Sequence, residues 1–462
     1  MENYDVIILG AGQAGLPLAL ALVKSGRKAA LIEEKYIGGT CINFGCTPTK
    51  TMVASAEAAD MARRGADYGV HSGPVSVDMR FVRQRKNSIV ENFRTGDDRK
   101  VLQAGVHVLR GQASFTGPRQ LQVVMNEGSE VREVSAPVVI INAGARPRRL
   151  ALAGVDQVDC LDSTSVQNLD EVPEHLLILG GGYVALEYGQ MFRRFGSQVT
   201  IIQRGSQLLG REDADVAAAA RDILVEDGVE VLLDTSALRV RRGAGAEASI
   251  TLSVQTSQGP RELSGTHLLA AVGRDPNTEK LNLAAAGIEL DAPGFIRTNA
   301  FLETSASGVY AAGDIKGGPA FTHISYDDFR ILRSSLIEGK KVSIEGRMVP
   351  YVLFMDPQIA RVGLSEREAQ AHKIDYQLAK IPMTYVARAI ELGRTRGFIK
   401  ALVDADTQQI LGAAVVGVEG GEVMAMLEIA MLGKLPYPVL REAIFAHPTL
   451  SEGLNTLFFE LP

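Results

Sequence analysis

"YDVIILGAGQAGLPLALALVKSGRKAALIEEKY", residues Tyr4 to Tyr36, is the stretch from which the fold can be read. A short apolar run, Val6 to Leu9, meets a glycine-rich turn; an apolar-periodic helix follows, then a second run, Ala29 to Ile32. That order predicts a β-α-β unit with parallel strands. Gly10-x-Gly12-x-x-Gly15 falls where the first strand becomes the helix. The first glycine permits the tight turn, the second lets backbone approach a pyrophosphate, and the third packs helix on strand. The helix N-terminus adds N–H groups and a partial positive charge. Glu33 ends the second strand, 18 residues past Gly15, where a carboxylate can bind a ribose hydroxyl. A glycine turn in a ligand-free α/β core would share the GxGxxG; strand, helix and acid together favour a dinucleotide site.

The pattern returns in "HLLILGGGYVALEYGQMFRRFGSQVTIIQRG", His175 to Gly205, with its first glycine 170 residues after Gly10. That spacing is too wide for a solenoid repeat and implies two separate nucleotide-binding domains. The second turn reads Gly180-x-Gly182-x-x-Ala185, and alanine at the third place is within the pattern. At its second strand's end Gln203 stands where the acid would be, Arg204 follows directly, and Arg211 lies seven residues beyond. A carboxylate there would repel a 2′-phosphate and a guanidinium would bind it, so NADPH is expected ahead of NADH. The plainer reading makes both arginines solvated surface charges.

Residues 51–100 read as helical, and short strands lead on to "VVIINAGARP". After the second unit, strands run to "HLLAAVGRDPN", and "GFIRTNAFLETSASGVYAAGDIKGG" resembles a return to the first domain. From about Arg347, strand-like "VPYVLFM", "GFIKALVD" and "ILGAAVVG" precede a helix, Glu422 to Gly433. The expected architecture is α/β, with two Rossmann-like dinucleotide-binding domains and a C-terminal α+β domain. The expected segments are 1–148 and 273–346 for the first domain, 149–272 for the second, and 347–462 for the third.

The chain has 462 residues, 46% hydrophobic and 22% charged, which is ordinary globular composition. A net charge of −6 argues against a nucleic-acid or anionic-membrane partner. The opening "MENYDVIILGAG" has no basic region, and its apolar run is far too short for a signal segment or a membrane span. Three cysteines do not make a secreted disulfide framework. A cytoplasmic protein is expected.

Two of those cysteines, Cys41 and Cys46, share "GGTCINFGCTPTK", Gly38 to Lys50. Zinc would need four ligands, and the nearest histidine in sequence is His71. A structural disulfide closing so small a loop would restrict the unfolded chain little. A redox pair fits better. Residues five apart on a regular helix have Cα atoms roughly 8–9 Å apart, whereas a disulfide needs about 7 Å or less. The bond therefore requires a distorted segment, which Gly45 helps to supply, and strain makes it easier to reduce. A reactive thiolate also needs a positive partner. "AHPTLSEGLN" offers one: His447 and Glu452, five apart, where the carboxylate can hold the imidazole in one tautomer. A lone histidine there would more often be a surface or core residue. Cys160, in "VDCLDS", lies outside every motif and reads as structural or incidental.

With these motifs together, the chain resembles the flavoprotein pyridine-nucleotide-disulfide oxidoreductases over nearly its whole length. That group includes glutathione reductase, dihydrolipoamide dehydrogenase and mercuric reductase. "GGTCINFGCTPTK" is similar to the family's redox segment and "HPTLSE" to its C-terminal base. "GRDPN" and "VYAAGD" are similar to its flavin-domain signatures. The resemblance implies FAD in the first site, with Glu33 on the adenosine ribose, Asp314 on the ribityl chain and Ala113 near adenine. Thr40 and Gly144 would also face FAD, and Lys50 would lie by the flavin ring, paired with Glu187. Tyr183 would gate the nicotinamide pocket and Gly273 would belong to the NADPH site. Cys46 would face the flavin and Cys41 would meet substrate. The C-terminal domain would be a dimerisation domain, with His447 and Glu452 reaching the disulfide of the partner subunit in an obligate homodimer.

"VPYVLFMDPQIARVGLSE", "FTHISYDDFRI" and "LPYPVLREAIFAHPTLSEGLN" look closest to the mercuric-reductase-like branch, which includes a reactive-chlorine-resistance flavoprotein that reduces copper(II). The last cysteine is Cys160, so the C-terminal cysteine pair that hands mercury inward has no counterpart. The expected substrate is a small disulfide or thiol, with a metal(II) ion, copper ahead of mercury, as the alternative. A flavoprotein redox sensor with little turnover is the reading from another class, and the intact set Cys41, Cys46, His447 and Glu452 counts against it.

Overall fold

A computed structural model describes residues 1–128, 130–243 and 249–462, which divide into two compact units. The first holds residues 1–52, 80–148 and 273–347; the second holds 53–79, 149–272 and 348–462. Residues 53–79, inside the first expected segment, thus pack with the second unit.

In the first unit a parallel sheet is wound outward in both directions from the strand Val6–Leu9. On one side lie Ala29–Glu33 and His107–Gly117; on the other lie Val138–Ile141 and Val309–Ala311. Its central strands are buried on both faces, which accounts for continuous apolar runs rather than alternation. Antiparallel strands Gln120–Met125 and Val131–Ser135 extend the sheet beyond His107–Gly117. The helix Gly15–Lys24 leaves the glycine turn with no cap from its own N-cap residue, Ala14; its first N–H is met by Asn142 instead. The strand ends meet at Asn142: its N–H donates to Leu9 O at 2.7 Å, its Oδ1 accepts from Gly15 N at 2.9 Å, and its Nδ2 donates to Ala312 O at 2.8 Å.

The second unit contains a five-stranded parallel sheet in the order Glu230–Leu232, Gln198–Ile202, His175–Leu179, His267–Ala270, Cys160–Leu161. A three-stranded antiparallel sheet, Ser236–Arg242, Ile250–Thr256 and Gly259–Gly265, adjoins it in sequence. Residues 348–462 form an antiparallel sheet in the order Tyr351–Leu353, Gln358–Gly363, Ile410–Gly417, Phe398–Asp404, Tyr376–Pro382. The helices Gly420–Leu432 and Gly453–Phe459 contribute to its buried core through Val423, Leu427, Leu454 and Leu457.

A buried ion network ties the Glu212–Asp215 segment to the C-terminal sheet. Arg361 donates to Glu212 at 2.7 Å and to Asp213 at 2.8 Å. The fully buried Lys400 ammonium lies 2.9 Å from Asp213 and 2.7 Å from both Asp215 and Glu366. Three carboxylates converge here, but the ammonium already occupies the centre a cation would take. Among the described residues, no helix is long and apolar enough to cross a membrane.

Candidate active site

The two glycine turns are built alike. Gly10 has φ +99° and Gly180 φ +117°, and a Cβ on either would sit 2.4 Å from a carbonyl oxygen, that of Asn142 or of Ala271. Only glycine permits both the left-handed backbone and this approach. The turn beneath each helix therefore stays tight, and a helix N-terminus starting from such a turn favours a phosphate.

In the first unit Glu33 is tied across the glycine turn. Its Oε2 accepts from Ala11 N at 2.8 Å and its Oε1 from Lys35 N at 2.8 Å. The carboxylate is thereby fixed at the strand's end with lone pairs to spare for a diol. Asp314 follows Gly313, whose N–H donates 2.8 Å to the fully buried Asp328. Burial raises the Asp314 carboxyl above its usual range, while Arg274, 3.9 Å away, and Lys316 offset part of the effect. Among the described residues, Arg274 Nε is itself buried without a hydrogen-bond partner. An underpaired carboxyl beside an orphaned guanidinium N–H suits a polyhydroxyl chain. With the glycine turn at the helix N-terminus and the fixed Glu33, the residues present fit FAD. Ala113 is buried on the strand His107–Gly117, Gly144 has φ +69° with open space around it, and Thr40 is exposed. Asn142 and Asp328 escaped the motif reading. A lone polar residue closing "VVII" and an aspartate within an amphipathic helix were their only signals.

The cysteines sit on either side of a helix break. Cys41 lies in the short helix Gly39–Asn43, Phe44 turns out with φ −142°, and Cys46 starts the helix Cys46–Arg63. A Cβ on Gly45 would stand 3.0 Å from Thr40 O and 3.4 Å from Cys41 Cα, so the chain folds back onto the first cysteine. The expected distortion is present. Cys46 is exposed and Cys41 half-buried, both as thiols. The hydrogen bond to Cys46, then burial, hold the Cys41 thiol well above its usual range; Thr322 partly offsets this. Thr322 opens the helix Thr322–Leu336, with its Oγ1 3.3 Å from Cys46 Sγ. Lys50 lies one turn along from Cys46 on the same helix.

In the second unit Tyr183 is the first residue of the helix Tyr183–Phe195, which also carries Ala185 and Glu187. Glu187 Oε1 accepts from Phe354 N at 2.9 Å. A Cβ on Gly182 would meet only open space. Gln203 follows the strand Gln198–Ile202, and its Nε2 donates to Gln207 O at 3.2 Å. Arg204 and Arg211 are exposed, and among the described residues no ion pair engages either. Open helix N–H groups, glycine access and free guanidinium groups fit a pyridine dinucleotide. Gly273 falls in the first unit, where its carbonyl accepts from Arg148 N at 3.0 Å.

His447 is exposed, and its Nδ1 lies 2.9 Å from the half-buried Glu452 Oε2. The C-terminal domain exposes Ile429, Leu432, Ile444 and Phe459, apolar side chains of the kind a second subunit covers. Cys160 lies at a sheet edge, and burial pushes its thiol up to about 11, so it is protonated and a poor nucleophile near neutrality.

Two dinucleotide folds, a facing dithiol and a carboxylate-held histidine define a nucleotide-dependent dithiol oxidoreductase. Residues 4–328 match the sequence model for pyridine nucleotide-disulphide oxidoreductases, and residues 349–458 match that family's dimerisation domain. The chain belongs to the class I pyridine nucleotide-disulfide oxidoreductase family. It is 37% identical over 463 residues to the probable pyridine nucleotide-disulfide oxidoreductase RclA of Escherichia coli K12, covering 99% of each chain. It is 32% identical over 454 residues to a mercuric reductase of Staphylococcus aureus, covering 98% of this chain and 81% of that one. Its fold matches the solved Cu(II) complex of the HOCl-induced flavoprotein disulfide reductase RclA from Escherichia coli, with TM-score 0.90, 37% identity and 100% of both chains covered. It is thus a flavin oxidoreductase that uses FAD and a pyridine nucleotide and carries a dimerisation domain.

Proposed function

We propose that this enzyme takes electrons from NADPH in preference to NADH and passes them through Cys41 and Cys46 to a small disulfide. The observation that carries the reading is the facing pair of thiols, folded together at a helix break and touched by Thr322. Gly10, Gly12, Gly15, Glu33, Thr40, Ala113, Gly144 and Asp314 would hold FAD, with Lys50 near its ring. When bound, FAD relays two electrons from the nicotinamide to the protein's cysteines. Gly180, Gly182 and Ala185 line the nucleotide site, Tyr183 gates it, and Gln203, Arg204 and Arg211 accept the 2′-phosphate.

The residues then perform disulfide exchange. Cys41 sulfur attacks the substrate disulfide, forming a mixed disulfide and releasing one thiolate. Cys46 attacks the Cys41 sulfur, closing the Cys41–Cys46 disulfide and releasing the second. His447 of the partner subunit, oriented by Glu452, protonates the leaving thiolate. One substrate disulfide becomes two thiols as the protein dithiol is oxidised, and the two electrons from NADPH restore it.

Copper(II) is the second reading, favoured by the Cu(II) complex of RclA. Two Cu²⁺ would be reduced to two Cu⁺ as the dithiol closes and loses two protons. Steady-state NADPH oxidation with a panel of disulfides, Cu²⁺ and Hg²⁺ separates the readings. If no disulfide is turned over and Cys41→Ser abolishes Cu²⁺ reduction, the disulfide reading fails and the copper reading stands.

A further inference from the structure

Tyr351 opens the strand Tyr351–Leu353, a stretch that reads in sequence only as an apolar run. Its ring packs on Tyr183, with centroids 5.6 Å apart and planes at 47°, an arrangement in which aromatic rings attract. Its hydroxyl donates to Glu212 Oε1. Glu212 is 2% exposed, and its Oε2 accepts from Arg361 Nε at 2.7 Å. Arg361, itself 4% exposed, also donates to Asp213 at 2.8 Å. The hydroxyls of Tyr183 and Tyr351 are hydrogen-bonded as well. A phenol has one proton, and that of Tyr351 goes to Glu212, so Tyr183 is the donor in this bond.

The result is a relay, Tyr183 to Tyr351 to Glu212, with Arg361 closing the far end. The two ends differ in freedom. Moving Glu212 or Arg361 would strand a buried charge, which is costly. Tyr183 is half-exposed and sits at the helix start directly after the glycine turn. Burial, and next the charge of Glu212, hold the Tyr351 hydroxyl far above the usual phenol range, so it remains a donor throughout the working pH range.

We propose that Tyr351 is a latch on Tyr183, a positioning residue that sets how readily the nicotinamide end of a dinucleotide enters the second nucleotide site. The latch rests on Tyr183 being the gate of that site. A nicotinamide ring that displaces Tyr183 must part it from Tyr351, breaking the ring contact and the hydroxyl bond together. The adenosine end of the same molecule binds without disturbing either.

Calorimetric titration of the oxidised holoenzyme with NADP⁺ and with adenosine 2′,5′-bisphosphate, which lacks nicotinamide, tests this. Tyr351→Phe keeps the ring and removes the relay. NADP⁺ should then bind about three- to tenfold more tightly, the change one ordinary hydrogen bond carries, and the bisphosphate should bind as before. Tyr183→Phe breaks the same bond from the other side, so it should give a similar shift, with no further gain in the double variant. Unchanged NADP⁺ affinity in Tyr351→Phe, or an equal change for both probes, overturns the latch. Failure of the underlying reading has a different signature. If the bisphosphate does not displace NADP⁺ from the unaltered protein, the nucleotide-site assignment falls and the latch with it. If that protein binds NAD⁺ but not NADP⁺, only the NADPH preference falls, and NAD⁺ against adenosine monophosphate makes the same comparison.

Discussion

The Thr322 hydroxyl lies 3.3 Å from the Cys46 sulfur. Toward a thiolate that hydroxyl can only donate, and a hydrogen bond to a charged group contributes about 1.5–3 kcal/mol. Thr322→Val should therefore raise the pH at which the first thiolate of the reduced enzyme forms by about 1 unit or more. Thiolate ultraviolet absorbance across a pH titration reads this. An unmoved midpoint would mean that the contact does not stabilise the anion.

Cys46 is the more exposed residue in the isolated chain, yet Cys41 is proposed to meet substrate. Treating the reduced holoenzyme with one equivalent of an alkylating agent, followed by peptide mapping, decides between them. The label is expected on Cys41; a label on Cys46 reverses the two roles.

Glu452 holds His447 Nδ1 at 2.9 Å, although the imidazole itself is exposed. Glu452→Gln leaves a neutral side chain that can no longer balance an imidazolium. We expect kcat to fall about 10- to 100-fold, within the range general acid–base catalysis contributes, with binding of NADP⁺ unchanged. Full kcat in the variant would remove the histidine–glutamate pair from the proton step.

Arg204→Glu places a carboxylate where a 2′-phosphate is proposed to bind. KM for NADPH should rise about 10- to 100-fold, as expected for replacing a charge-assisted contact by a repulsive one. KM for NADH should change little. If NADPH is still preferred, this arginine is a surface charge and no more.

Asp213 accepts from Arg361 and lies beside the buried Lys400. Burial opposes its charge, but Lys400 and Arg361 outweigh burial and hold the carboxyl below its usual range. The sign follows from a depressed folded value: the stabilisation is present above the unfolded aspartate value near 4 and is lost as pH falls below it. Asp213→Asn should cost about 3 kcal/mol at neutral pH, because it strips one partner from two buried cations. The deficit relative to the unaltered protein should shrink in acid, as chemical denaturation at several pH values would show.

Much of the fold was legible because the signals are local. A strand, a glycine turn and a helix lie within one short window, and Gly10 and Gly180 must be glycine for reasons the backbone imposes at once. The dithiol was legible for the same reason: Cys41, Gly45 and Cys46 lie within six consecutive residues. Asn142, Asp328 and Thr322 were not legible. Each is an ordinary polar residue whose role depends on a partner 127, 15 or 276 positions away.

By itself the sequence determined that this chain builds two dinucleotide folds, presents a cysteine pair at a helix break, and sets arginines where an acid is usual. Residue type and spacing suffice for those, since backbone sterics and periodicity act over a few residues. Tertiary structure alone decided that Tyr351 lies against Tyr183 and that Lys400 fills the carboxylate cluster of Asp213, Asp215 and Glu366. Such contacts form only when distant segments pack. Desolvation then makes each charge depend on its neighbour, a dependence that spacing along the chain does not encode.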